Sequence, residues 1–245
     1  MRSLSAPELL TVWERGLSQP LLEQALIMLV AAYPEATPDD LAQLSIGQRD
    51  ERLLRLRERL FGPTLINTAV CPACAERIEW ENRVADVLVP PPDGAASNEF
   101  DLEIGNFRLH CRLPNSLDIA AVVNDPDVEK AHAELLALCV VGVEHAGEGA
   151  TVAELPGRVI RALNQRIEAL DPQAEVRINL SCPECSHRWE MIFDIASYLW
   201  SELNDWAERT LQTVHKLARG YGWTEREILS LSPVRQQLYL GWLGS

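Results

Sequence analysis

Apolar positions recur every three to four residues over much of the chain, the period of a helix with one buried face. Leu9, Leu10, Trp13 and Leu17 keep that spacing. Leu21, Leu22, Ala25, Leu26, Leu29 and Val30 resume it after Gly16 and Pro20 break the pattern. Ser5 and Glu8 have the spacing of a capping box, and Pro7 falls in the first turn. Asp39 and Asp40 cap a short turn over 41–44. Leu53, Leu56 and Leu60, flanked by Leu54 and Phe61, predict a helix over 47–61 that Gly62-Pro63 stops. Its Arg49, Arg52, Arg55, Arg57 and Arg59 interleave with Asp50, Glu51 and Glu58. That run reads as a solvated face laced by i,i+4 pairs, with a partner site as the alternative.

The period then shortens to two. Extended runs fall at 65–70, 77–81, 176–181 and 187–193. Phe100, Leu102 and Ile104, then Phe107, Leu109 and Cys111, alternate about Gly105-Asn106, which predicts a β-hairpin. Pro90-Pro91-Pro92-Asp93-Gly94 contributes no core residue and predicts a loop over 90–98. Helices follow at 117–123 and 128–141, a loop from Gly142 to Gly149, and a helix over 156–170 that Asp171-Pro172 ends. The longest amphipathic pattern is 194–219, with Leu199, Leu203, Trp206, Leu211, Val214 and Leu217 on one stripe and Gly220 as its stop. Thr224 and Glu227 open a short helix to Leu231, and Ser232-Pro233 caps another. These elements predict an α+β fold, mostly helical, with a small antiparallel β region. Three regions follow: a helical one over 1–63, a β region with inserted helices over 64–193, and a C-terminal helical segment over 194–245.

The candidate chemistry sits in the β region. Cys71-Pro72-Ala73-Cys74 and Cys182-Pro183-Glu184-Cys185 each stand between two extended runs. Strand, Cys-Pro-x-Cys turn, strand is a zinc knuckle, and two knuckles supply the four thiolates of a closed tetrahedral site. The duplication with matching flanks makes the signal specific. Each copy has a Trp and a Glu close behind it, Trp80 with Glu81 and Trp189 with Glu190. The ion is therefore expected to be a structural Zn2+ held by Cys71, Cys74, Cys182 and Cys185. The pairs lie 107 residues apart, so the ion would join distant parts of the chain in a zinc-ribbon-like arrangement. Two readings stand beside this one: a thioredoxin-like dithiol, whose motif opens a helix, and degenerate knuckles that hold no metal. His187 is a substitute ligand or a surface residue. Cys111 and Cys139 read as small apolar core residues.

Charge narrows the partners. The net charge is −14, from 22 basic and 36 acidic residues, a balance that repels phosphate backbones. No nucleic-acid partner is expected. No leader is evident, and the longest apolar run, Ala25 to Tyr33, is too short to span a bilayer. The expected compartment is a reducing cytosol, where thiolates bind metal rather than pair. No membrane partner and no small-molecule substrate is expected. There is no P-loop, GxSxG, HExxH or Rossmann glycine pattern, so no enzyme is predicted. Residues 198–245 carry five acidic and five basic side chains and are thus neutral. Tyr221, Trp223, Tyr239 and Trp242 lie in that stretch, and aromatic residues are enriched among interface hot spots. They are the candidate partner-binding residues, with a packed helical hairpin as the alternative.

Four segments carry a resemblance. They are Gly47-x-Arg49-Asp50-x-x-Leu53-Leu54-x-Leu56-Arg57 and Arg112-Leu113-Pro114-Asn115-Ser116-x-Asp118, then Asp171-Pro172-Gln173-Ala174 and Val214 to Ser232 around Tyr221-Gly222-Trp223. Together they resemble the baseplate hub assembly chaperones of T-even-type contractile phage tails, in the zinc-knuckle form found in contractile injection systems. The resemblance spans nearly the whole chain. It implies a non-enzymatic helper or built-in part of the hub or baseplate, with baseplate, hub or tail proteins as partners. It supplies no catalytic residue. A zinc-ribbon adaptor of a nucleic-acid machine and a dithiol oxidoreductase are the competing functions.

Overall fold

A computed structural model describes residues 1–90, 92 and 97–243. Most of the loop expected over 90–98 lies outside the described residues. In chain order the elements are α1 (Ala6–Gly16), α2 (Leu21–Ala32), α3 (Pro38–Ala42) and α4 (Ile46–Phe61), then the hairpin β1 (Thr64–Val70) and β2 (Arg77–Arg83). Next come α5 (Val84–Val87), β3 (Glu99–Ile104), β4 (Phe107–Arg112), α6 (Ser116–Val122) and α7 (Val128–Cys139). β5 (Val140–His145), β6 (Glu148–Gly149) and α8 (Gly157–Leu170) precede a second hairpin, β7 (Val176–Ser181) and β8 (Arg188–Phe193). The series continues with α9 (Ile195–Tyr221), α10 (Glu225–Leu229) and α11 (Pro233–Leu243). The fold is α+β and mostly helical, with small antiparallel sheets. Among the described residues no helix is long and apolar enough to cross a membrane.

The chain divides into two compact units, one of Met1–Glu35 with Ala196–Ser245, the other of Ala36–Ile195. The first holds α1, α2 and the helices from α9 onward. Leu9, Leu10 and Val12 of α1, Ala25, Met28 and Leu29 of α2, and Leu199, Leu203 and Ala207 of α9 are among its buried apolar residues. Trp13 Nε1 donates to Asn204 Oδ1 at 3.0 Å, tying α1 to α9. Glu8 opens α1 by accepting the Ser5 amide at 2.8 Å. Gly220 does not stop α9, contrary to expectation. It lies inside the helix, where an added Cβ would meet Leu243 Cδ2 at 2.2 Å. The stop is Gly222, at φ +70°, the left-handed backbone that glycine adopts without penalty.

The second unit is built on a four-stranded sheet in the order β3-β4-β5-β6. Phe107, Leu109 and Cys111 of β4 pack with Leu136 of α7 and with Leu155, Val159 and Leu163 at α8. The predicted helix 128–141 and the loop from Gly142 to Gly149 are corrected here. The helix ends at Cys139, and Val140–His145 pairs antiparallel with β4, Leu109 opposite Val143, with a register shift at His110/Cys111. Val140, Val141 and Val143 are β-branched and favour the pleated strand once β4 offers an edge.

The solvated arginine face of α4 is also corrected. Arg49 and Arg57 are buried; Arg49 Nε bonds Asp50 Oδ1 at 2.7 Å and Arg57 Nη1 bonds Gly62 O at 2.7 Å. Arg55 pairs with Glu51 one turn back at 2.8 Å, as expected. The start of α4 is capped from far along the chain: Asp171 accepts from Ser45 Oγ at 3.0 Å and from the Gly47 amide at 2.9 Å. The Arg112 guanidinium bonds both oxygens of the buried Asp118 at 2.6 and 2.7 Å. Gln173 accepts the Val89 amide at 2.7 Å. Three of the four resembling segments thus act as ties within this unit.

Candidate metal centre

β1 and β2 pair in unbroken register from Thr64↔Arg83 to Val70↔Arg77, and β7 and β8 from Val176↔Phe193 to Ser181↔Arg188. Each hairpin ends in a turn of the same build. In the first, the Cys71 amide donates to Glu76 O at 2.8 Å and the Ala75 amide to Cys71 O at 2.9 Å. In the second, the Cys182 amide donates to His187 O at 2.9 Å and the Ser186 amide to Cys182 O at 3.0 Å. Ala75 and Ser186, each directly after the second cysteine, have φ of 60° and 59°. Both turns thus use a left-handed residue where no glycine is present.

The two turns meet through their sulfurs. Cys71 Sγ lies 3.6 Å from Cys185 Sγ, and Cys74 Sγ lies 3.6 Å from Cys182 Sγ. All four sulfurs are within 4.8 Å of one another. Four sulfurs at about 2.3 Å from a shared zinc stand about 3.8 Å apart at the corners of a tetrahedron. A disulfide would bring two of them to about 2.05 Å. The donor set and its spacing therefore fit one divalent ion. Cys71 and Cys182 are buried, while Cys74 and Cys185 face solvent.

Electrostatics points the same way. Burial raises the Cys71 thiol, but the amides of Cys74 and Ala73 and the thiols of Cys185 and Cys74 outweigh it and bring it down to about 7. At Cys74 the Glu76 amide favours the thiolate, yet the surrounding Cys185, Cys182 and Cys71 sulfurs together with burial push it up to about 12. One sulfur ionises readily and the next resists. A divalent cation removes that resistance, since a coordinating thiol is deprotonated outright. Each cysteine pair leads into a strand, β2 or β8, rather than into the helix that a thioredoxin-like dithiol opens. His187 is not in the cluster; its ring stacks on Trp189 at 5.9 Å. Cys111 and Cys139 are buried core residues whose thiols burial pushes up to about 11 and about 12, which leaves them protonated and inert.

The four aromatic candidates lie in the first unit, and the structure brings them together. Tyr221 stacks on Trp223 at 4.6 Å, and Tyr239 sets its edge to Trp223 at 4.8 Å and to Tyr221 at 5.7 Å. Tyr221 Oη donates to Tyr239 O at 3.0 Å. These three rings pack on Val214, Leu217 and Ile228. Trp242 meets Tyr239 edge-on at 5.4 Å and remains 63% exposed. Sequence reasoning placed Asp171 and Gly47 in separate motifs and missed their contact. The signal available was the shared position of both at helix boundaries, which does not reveal a partner 124 residues away.

No curated protein and no solved structure matches the chain. The family described as T4 bacteriophage base plate protein matches residues 8–200, a stretch that includes all four clustered cysteines. That match gives the chain a structural or assembly role alongside other baseplate and tail proteins. The chain belongs to the T4 bacteriophage base plate protein family.

Proposed function

We propose that the chain is a non-enzymatic assembly chaperone or built-in part of the hub region of a contractile phage tail or tail-like injection particle. One structural Zn2+ on Cys71, Cys74, Cys182 and Cys185 fastens its two hairpins. The family match over residues 8–200 carries the baseplate part of this reading. The close four-sulfur cluster supports the metal, and tetrahedral four-thiolate sites take zinc or iron. The absence of any open coordination position in a four-sulfur set argues for a structural ion rather than a catalytic one. The protein works in the bacterial cytosol, where the particles are assembled, and its partners are hub, baseplate or tail proteins.

The test is deletion of the gene in a strain that makes the particles. Tails that lack an organised baseplate in electron micrographs support the reading, and intact particles overturn it. Mass spectrometry of finished wild-type particles separates the two roles: a built-in part is present, a chaperone absent. Elemental analysis of the purified protein should return one zinc per chain. Iron in its place, or no metal at all, overturns the zinc assignment and leaves the baseplate reading standing.

A further inference from the structure

β2 and β7 face each other across an open groove of about 570 Å³. Among the described residues β2 pairs only with β1, and β7 only with β8. Consecutive residues of both strands line the groove, Arg77 to Trp80 and Ile178 to Ser181. Successive side chains point to opposite faces of a sheet, so the groove runs along two strand edges rather than over one face. In an antiparallel ladder bonded pairs alternate with non-bonded ones. The Val84 amide donates to Pro63 O and the Cys71 amide to Glu76 O, one at each end of the β1–β2 ladder. Counted inward along the register, Ile78, Trp80 and Asn82 bond β1, while Arg77, Glu79 and Glu81 turn their N–H and C=O groups to the open edge. The Cys182 amide donates to His187 O, and the same count turns Arg177, Asn179 and Ser181 to the open edge of β7. Among the described residues no hydrogen bond meets the backbone of Arg77, Glu79, Asn179 or Ser181 at these edges. An unpaired edge is a template for a further strand.

The two walls decide what fits between them. Free N–H and C=O groups on both sides match an extended backbone whose own two edges are both free. Every described strand of this chain already has one edge bonded to a neighbour, so no such strand of a second copy can bond both walls. Each wall alternates in character: Ile78 and Trp80, like Ile178 and Leu180, are apolar, and Arg77, Glu79, Asn179 and Ser181 are polar. Arg77 pairs with Glu79 at 3.6 Å, and the lining carries no net charge. We propose that an extended segment of another baseplate protein lies in this groove as an added strand, bonded to β2 on one side and to β7 on the other, in the manner of β-strand addition. An added strand continues the alternation of the wall it joins, so the segment alternates apolar and uncharged polar side chains. It has no proline at its centre, because both new ladders use its N–H groups. β2 and β7 have seven and six residues, and a segment of about six residues, about 20 Å at 3.3 Å per residue, runs their length. The sulfur contacts join the hairpin tips and so keep both edges on one groove. The proposal rests on the baseplate reading above.

The test titrates the full chain, as purified, against each baseplate protein made by the same particle's genes, purified singly, and follows amide exchange in the complex. One of them should bind and slow exchange at Arg77, Glu79, Asn179 and Ser181 by about tenfold or more. Glu79→Pro with Asn179→Pro removes one donor from each open edge and no rung of either hairpin ladder. That variant should melt as the wild type does and bind at least about tenfold more weakly. If it fails to fold, exchange in the wild-type complex decides. A bound partner that leaves all four amides unprotected overturns the groove and leaves the baseplate reading standing, as does a folded variant that binds as tightly as wild type. Protection of the four amides in a concentration-dependent dimer of the chain alone makes a second copy the occupant and also overturns the proposal. A wild-type chain that binds none of the baseplate proteins overturns the baseplate reading, and the groove with it.

Discussion

A Cβ built on Gly47 would stand 2.1 Å from Asp171 Oδ1 and 3.0 Å from the Ala174 amide. Gly47→Ala must therefore push away the carboxylate that caps α4, combining overpacking with loss of a cap. The expected cost is about 2–4 kcal/mol, read as a lower denaturant midpoint with the slope unchanged. Close by, burial holds Asp50 up at about 6, with Asp194 and Asp171 adding to the rise and Arg49 opposing it. Its folded value lies above the unfolded one, so its contribution is fully present below about pH 4. It is lost as pH rises through about 6, amounting to about 2–3 kcal/mol. Asp118, drawn down by Arg112 despite burial, works in the opposite direction. The comparison that isolates Asp50 is therefore the pH slope: Asp50→Asn should flatten the fall in stability between pH 4 and 6 by about that amount. An unchanged slope would mean that the Arg49 pair keeps Asp50 ionised. Neither effect is visible in the sequence, where Gly47, Asp50 and Asp171 read as helix punctuation and surface charge.

Among the elements, β1–β2 and β7–β8 are each two-stranded, and an isolated hairpin is marginal in water. The sulfur cluster is what joins their tips. Chelation, or Cys74→Ser with Cys185→Ser, should raise amide exchange across 64–83 and 176–193, while β3–β5 and α8 keep their protection. Exchange that rises equally in both regions would mean that the metal holds the whole unit. The left-handed residues give a second check on the knuckles. Ala75→Gly or Ser186→Gly should each stabilise the metal-bound chain by about 0.5–1 kcal/mol, because a Cβ is strained at φ near +60°. A thermal melt would register the gain. The hairpins and helices were legible because their apolar periods are local. β5 was not: Gly142, Gly147 and Gly149 read as loop punctuation, and only the edge of β4 turns Val140–His145 into a strand. Two of the five α4 arginines are buried by partners that no helical wheel reveals.

For the whole molecule, a charge of −14 predicts no measurable binding to DNA or RNA at physiological salt. A gel shift at low-micromolar protein that survives such salt would contradict this and favour the adaptor function. The candidate centre was legible because Cys-Pro-x-Cys is repeated with its flanks, although the cross-pairing of Cys71 with Cys185 was not. The aromatic set was legible only as a group. Tyr221, Trp223 and Tyr239 close on one another, while Trp242 meets the edge of that set at Tyr239 and stays largely exposed, a division their sequence context does not mark. The span of 107 residues between the two knuckles also sets a clock for synthesis. At roughly 5–20 residues per second, about 5–20 s pass after the first knuckle is translated before the second follows it. In that window the nascent chain offers an ion only half a cage. An ion held by all four sulfurs would thus be loaded late, after the ribosome has made the sheet and α8 that lie between the two halves.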